Sequence, residues 1–483
     1  MLRRLASAAF IVIASVQSPP LPSQSVWTLP TPNSTYTGTA AGRITDAAGA
    51  NITLSKAAAA ESSNSAAPTP SDVVATAVPA QALRGRRITL RGELQTHGAG
   101  GASLWMRVDA TDGTLILDNG QDRAVKGDSE WTPFTVNLPV VSQANSIVVG
   151  VLLQGAGSVT ARAVRIEADT RLLTDMPVAS DAQKVLDAAI DIVKKSAWMR
   201  GNIDWAVMQP DLRLMAGGAT TSSDIYPAIR FLLSSLKDRH SFLMPPAAAT
   251  AFRSGGAGNP PIDVKALGEG VAYVNVPAYS GANQTAAKAF ATKTHKQLSA
   301  TAGQAACGWI VDLRGNGGGN VWPMLAGLKP FLGDEPLGMY VTRETSSPPW
   351  KAGQSVGVDP PASLRVLEQA WVAVLTGPRT ASSGETVTIA FKGRPRTRSF
   401  GQPTNGLSSA NSPIPLPDGA TIQLTTAIEA DRTGKQYGEK VDPDEIIPAP
   451  APGSSATASR PVNPADDATI EAAKTWLKRS CKR

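Results

Sequence analysis

An unbroken apolar run that ends in a charged residue and a cluster of glycines constrains the fold of this chain more than any other segment. Residues 307–313 are Cys-Gly-Trp-Ile-Val-Asp-Leu, and residues 314–320 are Arg-Gly-Asn-Gly-Gly-Gly-Asn. Such a run is typical of a strand buried on both faces of a parallel sheet, and the glycines predict a tight loop before a helix. The loop lacks the lysine of a P-loop and the spacing of a dinucleotide fingerprint, so a nucleotide site is not expected.

Strand-like runs alternate with helical patterns along the second half of the chain. Residues 271–276 and 371–376 are further apolar runs, and residues 416–426 have the pattern of a hairpin. Alternation of this kind predicts an α/β core, which we assign to residues 260–450.

Helical patterns flank this core on both sides. Apolar residues recur at helical spacing between residues 181 and 214, and an amphipathic pattern follows up to residue 238. These patterns predict a helical subdomain at residues 175–250. A last helix is expected within residues 462–483.

A series of short β-rich runs precedes the helical part. The runs are divided by Asp-Gly, Asn-Gly and other glycine-rich turns, and lie at residues 86–94, 102–109, 114–118, 131–138, 146–153 and 161–167. They predict an antiparallel β-sandwich over residues 27–170. This segment resembles galactose-binding-like jelly-roll domains, which implies a surface for carbohydrate or protein; a purely structural module is the equal alternative. The predicted fold class is thus multidomain, an all-β jelly roll followed by an α/β part.

Length and charge narrow the classes of function. The chain has 483 residues, more than one core normally covers, so two or three domains are expected. Its net charge of +7 is modest and no basic run is interleaved with aromatic residues, so nucleic acid is not an expected partner. The densest basic stretch, residues 392–398, is interpreted as a solvated turn or, alternatively, as an attraction for the carboxylate end of a peptide.

The first residues have the pattern of a secretory signal. Two arginines are followed by about a dozen mostly apolar residues, a run too short to span a bilayer. Residues 1–25 are therefore predicted to be a signal peptide, and the protein is expected to be exported to the periplasm or secreted. An uncleaved anchor stays open, because residues 15–20 contain no clear cleavage motif.

The chain contains two cysteines, Cys307 and Cys481. In an oxidising compartment a single pair can close a long loop, and a disulfide here would hold the last helix against the buried strand at residues 307–313. Two free thiols are the alternative.

A serine stands where a strand passes through a glycine/proline loop into a helix. Residues 375–385 are Leu-Thr-Gly-Pro-Arg-Thr-Ala-Ser-Ser-Gly-Glu, and Ser382 occupies the start of the predicted helix. A helix N-terminus stabilises negative charge, which develops on an oxyanion during acyl transfer. Ser382 is therefore a candidate nucleophile, and a helix cap is the alternative reading.

The chain has three histidines, His97, His240 and His295, and all precede Ser382. This order excludes an α/β-hydrolase, in which the histidine follows the nucleophile. His295 is read as a solvated residue of a helix and His97 as part of a turn. His240 follows an amphipathic helix, where it is either a general base or a residue that compensates the helix dipole. The histidines lack metal-ligand spacing, so neither a metal nor another cofactor is expected.

Several segments together resemble the serine peptidases that include the C-terminal-processing (tail-specific) proteases, the tricorn core protease and the retinoid-binding repeats of the eye. The matching segments are residues 236–242, 310–319, 380–385, 400–406 and 441–444. The resemblance implies a crotonase-like core that hydrolyses peptide bonds, with Ser382 as the nucleophile. It also implies that the backbone N–H groups of Gly318 and Ser383 form the oxyanion hole, with Asp312 and Arg314 supporting the glycine loop.

The resemblance further indicates which group activates Ser382. The processing-protease branch uses a lysine in a Thr-x-Gly-Lys-Gly segment, but residues 404–408 are Thr-Asn-Gly-Leu-Ser, so Leu407 stands in the place of the lysine. The tricorn-like branch uses a histidine from the earlier helical region. By this resemblance His240 is the general base.

The residue that would orient His240 stays open. In the tricorn-like branch a hydroxyl beside the histidine and a later glutamate complete the relay. Here Ser241 and Glu439 are the candidates, and Asp238 is a further one.

Two functions from different classes follow from these observations. The first is an exported serine peptidase acting on peptides or proteins; the second is a non-catalytic ligand- or carbohydrate-binding protein on the same scaffold. A PDZ module is not expected, because about 15 residues separate Pro246 from Ile262, whereas a domain of this kind needs on the order of 80. The sequence does not indicate the oligomeric state.

Overall fold

A computed structural model describes residues 43–44, 52–56, 71–111, 113–256, 258–448 and 467–481. The predicted signal peptide, residues 1–25, lies outside these residues. The described residues fall into two compact units, the first within residues 43–56, 71–183 and 210–228 and the second within 184–209 and 229–481. Among the described helices, none combines the length and the apolar character that crossing a membrane requires.

The β-rich part of the first unit is an eight-stranded sheet in which every pair of strands is antiparallel. Its strands are β1 (Arg43–Ile44), β2 (Ile52–Lys56), β3 (Ser71–Pro79), β4 (Arg87–Ala110), β5 (Gly113–Asp118), β6 (Val125–Pro139), β7 (Ser146–Gln154) and β8 (Gly157–Ala168). The main path runs β1-β2-β8-β4-β7-β3, and both β5 and β6 pair with β4. The antiparallel β-rich character predicted for this part is confirmed, whereas the jelly-roll resemblance stays a prediction.

Strand β4 differs from the sequence analysis in being continuous. The runs at 86–94 and 102–109 belong to this one strand of 24 residues, and the glycine-rich stretch between them contains shifts of register rather than a turn. A Cβ atom on Gly100 would come within 2.7 Å of the Gln154 carbonyl oxygen, so glycine is needed there. The reading of His97 as a turn residue is therefore wrong, because His97 pairs with Ser158 of β8.

Nine helices occur within the described ranges. They are α1 (Ser180–Ser196), α2 (Trp205–Ala216), α3 (Tyr226–Ser234), α4 (Pro246–Ser254), α5 (Gln284–Thr301), α6 (Val321–Gly327), α7 (Lys329–Leu332), α8 (Ser383–Phe391) and α9 (Ala468–Cys481). The helical spacing read from residues 181–214 is confirmed by the buried apolar side chains of α1.

A six-stranded sheet forms the centre of the second unit. Its order is β10 (Asp263–Gly268), β11 (Val271–Asn275), β12 (Gly308–Asp312), β14 (Val372–Thr376), β15 (Thr397–Gly401) and β18 (Glu445–Ile446). All neighbours are parallel except β10 and β11. The strands predicted at 271–276, 308–312 and 371–376 are confirmed, because each is an apolar run buried between neighbours. Since β12 and β14 are adjacent and parallel, the loops that follow them begin at the same edge of the sheet.

A smaller antiparallel sheet completes the second unit. It consists of β9 (Phe242–Met244), β13 (Gly338–Val341), β16 (Ser409–Pro415) and β17 (Thr421–Asp431). The hairpin predicted at 416–426 is the turn between β16 and β17 together with the start of β17. Strand β9 also pairs with β17, and this pairing brings the segment before β9 close to β16.

Helix α9 packs on the six-stranded sheet. Ile470, Ala473 and Leu477 share one apolar cluster with side chains from β11, β12, β14 and β15. Cys481, the last residue of α9, forms a disulfide with Cys307, which immediately precedes β12. The helix is thus held against the sheet as the sequence analysis expected.

Candidate active site

Ser382 lies between β14 and α8, at the edge of the sheet where β12 also ends. Its backbone has φ 52° and ψ −123°, a region that residues other than glycine rarely adopt. Such a conformation costs of the order of 1–3 kcal/mol and persists only where the surroundings enforce it. Here the backbone N–H of Ser382 donates to Glu385 Oε2 at 2.9 Å, and Ala381 N–H donates to the Asn316 carbonyl oxygen at 3.0 Å.

His240 is within hydrogen-bond distance of Ser382. The atoms His240 Nε2 and Ser382 Oγ are 2.9 Å apart, although the residues are 142 positions apart in sequence. The other ring nitrogen, Nδ1, lies 2.8 Å from the hydroxyl of Ser409 at the start of β16. In the tautomer with its proton on Nδ1, the ring donates to Ser409 and its Nε2 lone pair faces the Ser382 hydroxyl.

The backbone of His240 is held on both sides of its Cα atom. Its N–H donates to Asp238 Oδ1 at 3.0 Å, and its carbonyl oxygen accepts from Asn411 Nδ2 at 2.8 Å. The side chain is 8% exposed. Burial lowers the pKa of His240 below its ordinary value of 6.5, and the nearby charge of Asp238 opposes that change. The imidazole is therefore neutral at neutral pH, the form that can accept a proton.

The orienting partners named from the sequence are not the ones found. Ser241 donates its hydroxyl to Asp238 Oδ2 at 2.6 Å, and Asp238 binds backbone N–H groups rather than the imidazole ring. Glu439 accepts from Ser408 through its backbone carbonyl. The hydroxyl of Ser409 is the partner of His240 Nδ1 instead. Because β9 and β16 both pair with β17, the segment that contains His240 lies next to the start of β16. The local sequence around Ser409 carries no signal of this contact.

The glycine loop after β12 lies directly against Ser382. A Cβ atom on Gly318 would be 2.8 Å from the Cβ of Ser382, and the residue has φ 105°, so glycine is required. Ser383 donates its hydroxyl to the Gly319 carbonyl oxygen at 2.6 Å and so joins the loop to the start of α8.

The two backbone N–H groups assigned to the oxyanion hole differ in whether they already donate a hydrogen bond. The N–H of Gly318 donates to Asn316 Oδ1 at 2.9 Å, so this group is already paired, which the sequence did not indicate. The N–H of Ser383 has no hydrogen-bond acceptor among the residues that the structure describes. Being the first residue of α8, Ser383 exposes this group at the positive end of the helix dipole.

Asn316 is a fully buried residue that the sequence analysis did not single out. Its Nδ2 donates to the carbonyl oxygens of Val276 and Pro277 at 3.2 Å each. Through these bonds and those to Gly318 and Ala381, Asn316 holds the glycine loop to the residues that follow β11 and to the loop that carries Ser382.

Asp312 and Arg314 support the glycine loop as expected. Arg314 Nη2 lies 2.6 Å from Asp312 Oδ2, and Arg314 Nη1 lies 2.6 Å from Asp467 Oδ2, just before α9. Tyr273 donates its hydroxyl to Asp312 Oδ2 at 2.8 Å. The arginine therefore links the loop to the C-terminal helix.

Glu385 is a buried carboxyl group beneath the nucleophile. Besides the N–H of Ser382, it accepts from the N–H of Leu407 at 2.7 Å, from the N–H of Gly406 at 2.9 Å and from the Thr404 hydroxyl. Burial raises the pKa of Glu385, while these hydrogen bonds lower it. The Ser-x-x-Glu spacing of a capping box is the sequence signal that could have identified this residue.

A second buried carboxyl group, Glu429 of β17, contacts α8. Its Oε1 accepts from the hydroxyl of Thr386 at 2.6 Å, and its Oε2 has no partner within the described residues. Burial raises the pKa of Glu429 to about 8, with the charge of Glu385 adding to the effect. Glu429 is therefore largely protonated at neutral pH.

The remaining candidates lie apart from these contacts. His295 is 3% exposed and its Nε2 lies 2.9 Å from the Ala326 carbonyl oxygen, so the reading as a solvated residue is wrong. Lys392 pairs with Asp444, at 2.9 Å. In the basic stretch 392–398, Arg394 is buried and donates to five backbone carbonyl groups, so it is not a solvated turn residue. Within the described part of the chain there is no group of three residues suited to hold a metal ion.

Part of the chain is similar to a known protein family and to known proteins. Residues 270–447 match the family described as Peptidase family S41, a range that includes Ser382 but not His240. A nisin-resistance protein from Lactococcus lactis subsp. lactis is 38% identical over 138 residues, which is 27% of this chain and 42% of that protein. The chain thus spans less than half the length of this relative.

Solved structures resemble the chain over a larger share. A lipoprotein from Streptococcus agalactiae has a TM-score of 0.52 and 20% identity, over 63% of this chain and 98% of that one. This likeness shows a common fold. A photosystem II D1 C-terminal processing protease is 17% identical, with a TM-score of 0.39, over 56% of this chain and 94% of that one.

Proposed function

We propose, from the match of residues 270–447 to Peptidase family S41, that this chain is a serine peptidase in which His240 activates Ser382. The observation that carries the proposal is the distance of 2.9 Å between His240 Nε2 and Ser382 Oγ. The substrates are peptides or proteins, and the reaction passes through an acyl-enzyme on Ser382.

The first half of the reaction forms the acyl-enzyme. As Ser382 Oγ bonds to the carbonyl carbon, its proton moves to His240 Nε2. The imidazolium then protonates the leaving amine while the C–N bond breaks. In the second half, water attacks the ester, gives a proton to His240, and Ser382 recovers its proton as the acid product leaves.

Ser409 has a positioning role in this proposal. By accepting from Nδ1–H, its hydroxyl keeps the Nε2 lone pair directed at Ser382 and supports the charge on the ring after proton transfer. A lysine mechanism is disfavoured, because Lys392 is paired with Asp444 and Leu407 stands where the other branch has its lysine.

The oxyanion would be stabilised at the start of α8. The N–H of Ser383, which has no acceptor among the described residues, is the first donor. The N–H of Gly318 is the second, and it would exchange its present acceptor, Asn316 Oδ1, for the oxyanion.

Export is part of the same proposal. The pattern of residues 1–25 supports it, and the Cys307–Cys481 disulfide is a bond that persists in oxidising compartments. The mass of the N-terminus of protein recovered from the periplasm or medium tests it, and recovery from the cytoplasm alone would contradict it.

Labelling with a fluorophosphonate probe tests the catalytic proposal. The oxidised full-length protein is expected to react at Ser382, and Ser382→Ala and His240→Ala to lose at least most of the labelling. Ser254→Ala, at an exposed serine at the end of α4, is the matched control and should label like the wild type. An unlabelled wild type would instead favour a non-catalytic binding protein.

Substrate choice is tested with a peptide library that includes nisin, since the Lactococcus relative is named for nisin resistance. Cleavage that disappears in Ser382→Ala identifies substrates of this site.

A further inference from the structure

Two arginines lie on the chain segments that carry the two members of the Ser382–His240 pair. Arg239 directly precedes His240, and Arg379 comes three residues before Ser382. Both side chains are exposed, and neither forms an ion pair among the residues that the structure describes.

Asn405 joins these two segments. Its Oδ1 accepts a hydrogen bond from Arg239 Nη2 at 3.4 Å, and its Nδ2 donates to the Pro378 carbonyl oxygen at 3.1 Å. Its backbone N–H donates to the Thr380 carbonyl oxygen at 2.9 Å. Asn405 therefore brings the guanidinium of Arg239 to the loop that contains Arg379.

The carboxylates next to these segments are already occupied. Asp238 accepts from the N–H of His240, the N–H of Ser241 and the hydroxyl of Ser241. Glu385 is enclosed and accepts four hydrogen bonds. Neither forms an ion pair with Arg239 or Arg379, so the guanidinium groups of both arginines stay open to a carboxylate of a ligand.

The backbone of Arg239 supports a role for its side chain. Its φ is 58°, a conformation in which glycine would relieve strain. A large charged side chain in a strained position beside a site is a pointer to function.

We infer that Arg239 and Arg379 bind a carboxylate of the substrate next to the scissile bond, so that the site prefers acidic peptides. This inference rests on the proposed peptidase function. The carboxylate is either an Asp or Glu side chain or the free C-terminus of the peptide, since a guanidinium binds both through the same paired N–H donors.

Binding to the Ser382→Ala protein tests the inference without requiring hydrolysis. Three fluorescent versions of one peptide are compared by anisotropy: one with an internal Asp and an amidated C-terminus, one with Asn and a free C-terminus, and one with Asn and an amidated C-terminus. We expect one of the two carboxylate-bearing peptides to bind about 10-fold more tightly than the neutral one. Which of them does so identifies the source of the carboxylate.

Two variants on different loops test whether Arg239 and Arg379 cause the preference for a carboxylate. Arg239→Gln and Arg379→Gln, each in the Ser382→Ala background, are expected to reduce the ratio of affinities toward 1. Arg365→Gln, at an exposed arginine on the 3-10 turn Ala362–Gln369, controls for net charge and should keep the ratio. Arg239→Lys should recover only part of the preference.

The outcomes separate this inference from the peptidase proposal. Equal affinity for all three peptides, or an affinity ratio unchanged in both arginine variants, overturns the inference even if Ser382 labels and peptides are cleaved. Failure of the wild type to label with the fluorophosphonate overturns the peptidase proposal, whatever the binding assay gives.

Discussion

At the scale of single residues, the site depends on the protonation state of one imidazole and the direction of its lone pair. Burial favours the neutral form of His240, and Ser409 selects the tautomer that faces Ser382. The sequence indicated Ser382 because this residue lies where a strand passes through a loop into a helix. It indicated His240 because residues 236–242 resemble a segment of the peptidase family. It could not reveal Ser409, whose contact exists only after β16 has paired with β17.

The pH dependence of labelling follows from the lowered pKa of His240. The base form exists above that pKa, so reactivity is retained as the pH falls and is lost only below 6.5, the ordinary value for histidine. The rate of fluorophosphonate labelling across about pH 4 to 8 measures the midpoint, which we expect on the acid side of that value. A midpoint at or above it would contradict a buried neutral base.

Replacement of Ser409 by alanine should lower kcat by about tenfold, since one neutral hydrogen bond that directs the ring is lost. Ser412→Ala, on the same strand, is the matched control, because Ser412 pairs with Thr426 and not with His240. Steady-state kinetics with a common peptide measure both. A Ser409→Ala enzyme with the kcat of the wild type would show that this contact does not position the base.

At the scale of elements, helix α8 contains one buried carboxyl group, Glu385, and binds a second one, Glu429, through Thr386. Glu385 accepts four hydrogen bonds, whereas Oε2 of Glu429 has no partner within the described residues. The parallel strands could be predicted, because continuous apolar runs identify them. The sequence could not predict that residues 87–110 form one strand, β4, because the glycine-rich middle of this segment has the composition of a turn. Only the pairing with other strands distinguishes a continuous strand from a turn.

Glu429 makes stability depend on pH. Its pKa is about 8 in the folded protein and near 4.5 when unfolded, so between these values the folded state holds a proton that the unfolded state has released. The free energy of unfolding should therefore fall as the pH rises from about 5 to 8, by up to about 1.4 kcal/mol per pH unit.

Glu429→Gln, which keeps the shape and removes the titration, should abolish this contribution in urea unfolding experiments. Glu439→Gln, at an exposed carboxyl, is the control and should keep the slope of the wild type. The same slope in Glu429→Gln as in the wild type would rule out Glu429 as its source.

At the scale of the whole molecule, helix α9 packs on the six-stranded sheet of the second unit and is held there by several interactions. Helix α9 covers apolar side chains of four strands, Arg314 pairs with Asp467, and the Cys307–Cys481 disulfide spans 174 positions. The sequence suggested this arrangement through the positions of the two cysteines.

Reduction of the disulfide should lower the free energy of unfolding by about 2–5 kcal/mol, because the unfolded chain regains the freedom that a long loop removes. Urea unfolding with and without reductant measures the loss, and hydrogen exchange should accelerate in α9. The double variant Cys307→Ser/Cys481→Ser is the control, since reductant should leave it unchanged. Equal stability of the reduced and oxidised wild type would contradict the prediction.

The pairing of β9 with β17 also determines when the contact between His240 and Ser382 can form during synthesis. His240 lies two residues before β9 and is made before Ser382, but the partner of β9, Thr421–Asp431, is made after both. A growing chain therefore contains both side chains before it contains the strand that brings them together. In the proposed peptidase, Ser382 therefore gains its base only after β17 has been synthesised.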